Sequence, residues 1–453
     1  MTDKEMWLKE YLGLVNAQVD TVTTARERAL RNQVIKSGLR NADGTGVLAG
    51  VTGIGSVQGY MTSEGERVPM PGQLYFRGIN ATDIVEAHRQ NGTYGYEEVA
   101  FLLLMGKLPT KEQYDNFRAL LSEARQLPSG YNEDVLFKAP AENIMNQLAR
   151  GVLGLYAYDP NPDDTSAENM LRQSIEIVAK MPAIVANSYA VMKHYIRGKS
   201  LHIHNPKPEL SAAENFLRMA RKDKGYEQDE AKLLDLMLML HAEHGGGNNS
   251  AFVCRAVSST GTDTYSAVAA AIGSLKGPLH GGANAQVMKM FEGIKANVGD
   301  TGDDDEVRSY LGKLLDGEAG DRSGKIYGLG HAVYTMSDPR AVAIKKYARD
   351  VAEKKGRLGE LELLEKVERI GIDLITERTG SDLPICANVD MYSGLIYDML
   401  SIPVDLFTPL FAIARSAGWC AHRMEEVLTC NRIMRPAYRA YRLRVPYVPM
   451  EER

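Results

Sequence analysis

The sequence predicts a mainly α-helical protein with a large and a small domain, and three observations carry this expectation. At 453 residues the chain exceeds what one ordinary core holds, which implies two domains or one large domain with an insertion. From about residue 111 to 199 apolar positions recur at helical spacing in one segment after another, while strand-like text is confined to Tyr75-Phe76 and a few Val-Ile clusters. Residues 305–380 turn more charged before the chain returns to an apolar stretch, Tyr392 to Cys420. A small domain over 285–390 is therefore expected as an insertion between 1–284 and 391–453.

Taken in order, residues 3–38 are predicted helical, an arm with Trp7, Leu8, Tyr11, Leu12 and Val15 at helical spacing. Residues 44–60 alternate Gly with Val, Leu and Ile, which suggests a small hairpin or loop. A dinucleotide-binding fingerprint would require a long helix immediately afterwards, and none follows. Leu74 to Ile79 is a short strand, and Asn80-Ala81-Thr82-Asp83 is a helix start. Residues 96–105 form an apolar helix closed by Gly106 and Pro109.

Further helices are expected over 142–156, over 167–196 with an interruption at Pro182, over 211–220, and over 228–241. The last is apolar almost all round and is expected to be buried. A helix over 265–275 stops at Gly277-Pro278, and the next runs from Ala283 to Lys295. Residues 298–305 read as an acidic loop. Helices over 339–355 and 359–376 are expected to expose one side.

Composition narrows the class. Hydrophobic content of 44% and charged content of 25% are those of a globular protein, and a net charge of -5 with mixed signs argues against a nucleic-acid partner. The four cysteines, Cys254, Cys386, Cys420 and Cys430, form no C-x-x-C pair and read as reduced thiols, which points to the cytoplasm. The opening residues resemble neither a secretory signal nor a transit peptide, and no window of about 20 apolar residues suggests a membrane span.

The chemistry gathers around residues 277–286, Gly-Pro-Leu-His-Gly-Gly-Ala-Asn-Ala-Gln. His280 lies in a glycine-flanked gap between two helices, where a ligand can approach the backbone closely and the following helix N-terminus favours a neutral ring. His331 repeats the device in Gly328-Leu329-Gly330-His331, followed by Ser337-Asp338-Pro339-Arg340 at a helix start. Asp390 precedes an apolar helix, where by itself it reads equally as an N-cap. Arg340 alone reads as a surface residue. Arg415 is more telling, because a guanidinium amid Phe407, Leu410, Phe411, Ile413 and Trp419 needs an anionic partner or a wet cleft. His241 reads as a structural histidine at its helix end. Metal ligation by His241 and His244 lacks the usual spacing and a nearby third ligand.

Together these segments resemble the citrate synthase family. The text H-x-[DE]-H-x-G-G-N-x-S at 241–250, G-P-L-H-G-x-A-N at 277–284, G-x-G-H-A-V-x4-D-P-R at 328–340 and N-V-D-x-x-S-G at 388–394 occurs in the family's order. The resemblance implies a multi-helical homodimer whose two domains close over a cleft. It implies that Asp390 removes a methyl proton from acetyl-CoA, that neutral His280 stabilises the enol, and that His331 polarises the ketone of oxaloacetate. His244, Arg340, Arg415 and Arg435 would bind the carboxylates, Arg435 from the partner subunit. Acetyl-CoA would be a substrate, and no cofactor or metal is implied.

Where many members carry Arg or Lys four residues after the histidine matching His331, this chain has Thr335, which leaves Lys325 and Lys289 as candidates for the CoA phosphates. Three rivals accompany this reading. One is 2-methylcitrate synthase, which uses propionyl-CoA; a methylene discriminates by only about 1–3 kcal/mol. The others are a non-catalytic acyl-CoA or oxaloacetate binder and a metal-dependent hydrolase.

Overall fold

The computed structural model describes the chain except for residues 1–5, 7–11, 15, 18, 20, 26, 29–34, 42–44, 64–65, 381–382, 431, 439, 441 and 443. Two compact units emerge, Met1–Gly50 with Met434–Arg453, and Val51–Ile433. In the first, the described residues between 12 and 28 are helical, and Arg40 bridges Gly46. Of the expected arm positions, Trp7, Leu8, Tyr11 and Val15 lie outside the described residues, and Leu12 is exposed.

The second unit begins with an antiparallel sheet of order β1-β2-β3: β1 (Gly55–Ser63), β2 (Glu66–Phe76) and β3 (Ile79–Asn80). Gly55 stands opposite Phe76, and a bulge falls between Gln58 and Tyr60. Of the glycine-rich segment, the part from Gly55 to Tyr60 thus lies in the first strand of a hairpin, while residues 45–54 precede it outside any strand. Asn80 then caps α1 (Ala81–Asn91), its side chain accepting from the Thr82 amide. Helix α2 (Tyr96–Met105) ends at Gly106, whose φ of 81° supplies the left-handed C-cap. Helix α3 (Lys111–Ala124) starts with a Thr110/Gln113 capping box, and α6 (Ala212–Ala220) with Ser211/Glu214.

Between them lie α4 (Ile144–Gly154) and α5 (Ala167–Tyr195). Two expectations fail at α5. Pro182 does not interrupt it: the helix runs through, with every residue from Ile177 to Met192 buried. Packing on all sides holds the turn that loses a backbone hydrogen bond at proline. Helix α5 is also long and apolar enough to cross a membrane, contrary to the expectation that no window is, but 89% of that window is buried within the protein.

Then follow α7 (Gln228–His241), α8 (Asn249–Ser258), α9 (Thr264–Lys276), α10 (Ala283–Asn297), α11 (Asp304–Leu315), α12 (Pro339–Lys354), α13 (Leu358–Thr379), α14 (Asp390–Met399) and α15 (Phe407–Thr429). Helix α7 is buried from Leu233 to His241, as its all-round apolar pattern requires. Helix α15 packs on α2, α5, α7, α8 and α9, which makes it the axis of the core. Helices α10 and α12 both pack on α14.

Candidate active site

Local backbone pairing brings the motifs together. Gly330 donates to the Cys386 carbonyl and Asn388 to the Gly328 carbonyl, each at 2.8 Å, and Asn388 Nδ2 reaches the Gly330 carbonyl at 2.9 Å. This short antiparallel bridge sets the His331 loop beside the start of α14. It needs glycine at 328, where φ is +90° and a Cβ would lie 2.9 Å from Met391 Cα. Asp338 completes the junction as N-cap of α12, accepting from the amides of Arg340 at 3.0 Å and Val389 at 3.1 Å.

His331 and His244 meet edge to face with ring centroids 5.2 Å apart, and Tyr334 stacks on His331 at 4.6 Å. The amides of Val333 and Tyr334 both donate to His331 Nδ1 at 3.0 Å. Backbone N–H groups can only donate, so the neutral ring carries its proton on Nε2, the form that can donate to a carbonyl oxygen. His244 Nε2 is buried without a hydrogen-bond partner among the described residues. Burial first, then Arg340, His331 and Arg415, holds its imidazolium form well below the ordinary histidine range.

The two arginines face this cluster differently. Arg340 is buried, not at the surface as its sequence context suggested, and is gripped by Asp338, Nε to Oδ1 at 3.0 Å and Nη2 to Oδ2 at 2.7 Å. The acid two residues upstream makes that burial tolerable. Arg415 is fully buried. Its Nε donates to the His241 carbonyl at 2.7 Å, while Nη1 and Nη2 have no hydrogen-bond partner among the described residues. Burial pulls its pKa down to about 10 against the opposing pull of Glu243.

His280 lies just ahead of α10, its Nε2 3.1 Å from Ser250 Oγ, which also accepts from Trp419 Nε1. Its pKa falls to about 4. The causes are burial and then Arg415, so the neutral ring expected from the helix N-terminus has a different main origin. Asp390 is not an N-cap: it is the first residue of α14, and Asn388 Oδ1 accepts from its amide at 3.0 Å. Burial, reinforced by Asp338 and opposed by Arg340, raises its carboxyl to about 6. Helices α10 and α14, which carry His280 and Asp390 near their starts, touch where a Cβ on Gly394 would lie 3.2 Å from the Asn284 carbonyl.

His244, His331, Arg340 and Arg415 are thus neighbours, and Arg415 acts on His280 as Arg340 does on Asp390. Arg435 belongs to the other unit and is exposed there. Lys289 and Lys325 are exposed. His241 donates from Nδ1 to the Met237 carbonyl at 2.7 Å and packs on Phe411, in keeping with a structural histidine. Among the described residues no group of three or more His, Cys, Asp and Glu side chains is arranged to hold a metal.

Sequence reasoning overlooked Asp338, Glu243, His422 and Arg255. Glu243 Oε1 binds His422 Nε2 at 2.9 Å, and His422 Nδ1 binds Arg255 Nη1 at 3.1 Å. The signal was available, because Arg415, Gly418, Trp419, His422 and Glu426 recur at helical spacing in an apolar helix and so share one face.

The family model for the citrate synthase C-terminal domain matches residues 43–437. Citrate synthase from Synechocystis sp. is 35% identical over 93% of this chain and 95% of its own, and that from Acidithiobacillus ferridurans 39% identical over 81% and 88%. The 2-methylcitrate synthase 1 of Corynebacterium glutamicum is 33% identical over 88% of this chain and 98% of its own. Among solved structures, citrate synthase from Pyrobaculum aerophilum superposes with a TM-score of 0.74 at 29% identity, covering 92% of this chain and 95% of that one. A ternary complex of the Thermoplasma acidophilum citrate synthase with carboxymethyl coenzyme A and oxaloacetate gives 0.74 at 25% identity, covering 92% and 99%.

Proposed function

This chain belongs to the citrate synthase family of acyl-transferring enzymes, and from that premise we propose that it condenses acetyl-CoA with oxaloacetate and hydrolyses the citryl thioester to citrate and CoA. One observation carries the reading to a dicarboxylate: two guanidinium nitrogens of Arg415 and Nε2 of His244, buried and close enough for Arg415 to act on His244, have no hydrogen-bond partner among the described residues. A planar guanidinium fork with nothing to hold matches a carboxylate bidentately. Arg340 adds a second positive charge, and Arg435 is assigned to the same substrate from a partner copy in a homodimer.

In this reading Asp390, with a carboxyl near 6, is ionised at neutral pH yet basic enough to take a methyl proton. Neutral His280 donates to the thioester oxygen as charge develops there. Ser250 Oγ lies 3.1 Å from His280 Nε2 and holds the ring in place for this. His331, with Nδ1 occupied by backbone amides, donates from Nε2 to the ketone. No cofactor is required, since base and donor suffice for enol formation. The segment 285–390 is assigned as a small domain closing on the rest, and the cytoplasm as the compartment, supported by four free cysteines.

The test is thiol release after mixing the protein with oxaloacetate and either acetyl-CoA or propionyl-CoA. Acetyl-CoA should be the better substrate. No release with either refutes the reading, and a large propionyl preference moves it to 2-methylcitrate synthase, which the Corynebacterium relative represents.

A further inference from the structure

Glu243 and Arg415 present an unexplained arrangement. Both are fully buried, and each acts electrostatically on the other, yet Glu243 Oε2 and Arg415 Nη1 and Nη2 all lack hydrogen-bond partners among the described residues. A carboxylate and a guanidinium buried side by side ordinarily close into a forked pair, as Asp338 and Arg340 do nearby. Gly418 of α15 leaves room for close approach, since a Cβ there would lie 2.4 Å from Glu243 Oε2 and 3.5 Å from Arg415 Cδ.

The opposing pull comes from two turns further along α15. Arg255 can only donate, so the 3.1 Å contact makes His422 Nδ1 an acceptor and puts the ring proton on Nε2, which donates to Glu243 Oε1 at 2.9 Å. Arg255 is itself anchored by Glu425 at 2.6 Å and Glu426 at 2.8 Å. Glu243 is thereby pinned at one oxygen.

We propose that His422, backed by Arg255, is a positioning residue for substrate binding: it holds Glu243 off the Arg415 guanidinium, so that Glu243 balances the buried charge without occupying the fork that takes the substrate carboxylate. This rests on the assignment of Arg415 to that carboxylate. His422 itself touches no reacting atom. Its loss should let Glu243 swing onto Arg415 and compete with the incoming anion.

The experiment measures oxaloacetate KM at saturating acetyl-CoA, and oxaloacetate Kd by calorimetry, on the full chain. His422→Phe, which keeps the ring but lacks the donor, should raise both by about tenfold or more, the scale of one charge-assisted hydrogen bond, with kcat within about threefold. His422→Gln, which restores an N–H near the Nε2 position, should return KM to near the wild-type value. In a Glu243→Gln background, where no carboxylate remains to compete, His422→Phe should change Kd little. An unchanged KM in His422→Phe, a loss confined to kcat, or a rise that persists in the Glu243→Gln background would overturn the proposal. If His422→Phe does not fold, His422→Asn, whose amide is too short to reach Oε1, carries the same comparison. Absence of thiol release by the wild-type protein would refute the enzymatic reading instead, and calorimetry would still decide the clamp.

Discussion

Arg340 and Arg415 occupy the same site, both buried, and differ in how much of their bonding the chain itself supplies. Arg340 is gripped by Asp338, which in turn takes the amides of Arg340 and Val389 and so joins the start of α12 to the segment before α14. Arg415 receives one backbone carbonyl, and its two terminal nitrogens have no hydrogen-bond partner among the described residues. Among the described residues, side-chain atoms without hydrogen-bond partners recur on Glu243, His244, Tyr334, Asn284 and Ser393, all within the motif segments. Buried polar groups are normally satisfied, so a cluster of exceptions marks a surface built for something the chain does not provide. The satisfied arginine is architecture that also lends charge, and the unsatisfied one is the one proposed to take a substrate carboxylate.

The comparison breaks most severely at the carboxyl that the Arg340 side controls. Asp390→Asn should lower turnover by about 10²–10⁴-fold, the usual worth of a general base, while calorimetry shows oxaloacetate binding largely intact. Surviving turnover would remove Asp390 from the role of base. Next in size, Asp338→Ala should cost about 3–5 kcal/mol in urea unfolding, because it strands a buried guanidinium. By contrast, Arg415→Met should cost clearly less in urea unfolding than Asp338→Ala, because it removes two nitrogens that lack partners and leaves Glu243 bonded to His422, while weakening oxaloacetate at least about tenfold. If it destabilises as much as Asp338→Ala, the distinction between the two arginines disappears.

A further effect is a pH dependence. With its carboxyl raised from 3.8 to about 6, Asp390 binds a proton more tightly folded than unfolded. Its contribution to stability is therefore full below about pH 3.8 and is lost as pH rises through about 6. Asp390→Asn should flatten that part of a stability-against-pH curve. In the wild-type enzyme kcat/KM should fall as pH drops through the same value, since only the carboxylate is a base. A curve that is flat for wild type and variant alike would place the Asp390 carboxyl elsewhere.

Much of the fold was legible because helix limits are local. Residues 96–105 and 228–241 and the start at Ala283 follow from spacing and caps that lie within a few positions of each end. Pro182 was misjudged because packing from every side outweighs a local breaker. In the site, His244, His280, His331 and Asp390 stood out through their glycine and motif settings, and Arg415 through its apolar neighbours. Taken alone, Arg340 reads as a surface residue and Asp390 as a possible cap, because neither burial nor capping geometry is written in neighbouring residues.

The sequence by itself determined the mainly α class, most helix boundaries, the polar residues that stand in apolar or glycine-rich surroundings, and membership of the citrate synthase family. Only the tertiary structure decided which of those residues are satisfied and which are left waiting. The Glu243–His422 contact spans 179 positions and the His422–Arg255 contact 167. The positions of the His280 and Asp390 pKa values likewise come from burial and from charges on other elements. Local order is fixed by interactions a few residues apart, whereas burial and electrostatics depend on what the completed fold brings within a few ångströms.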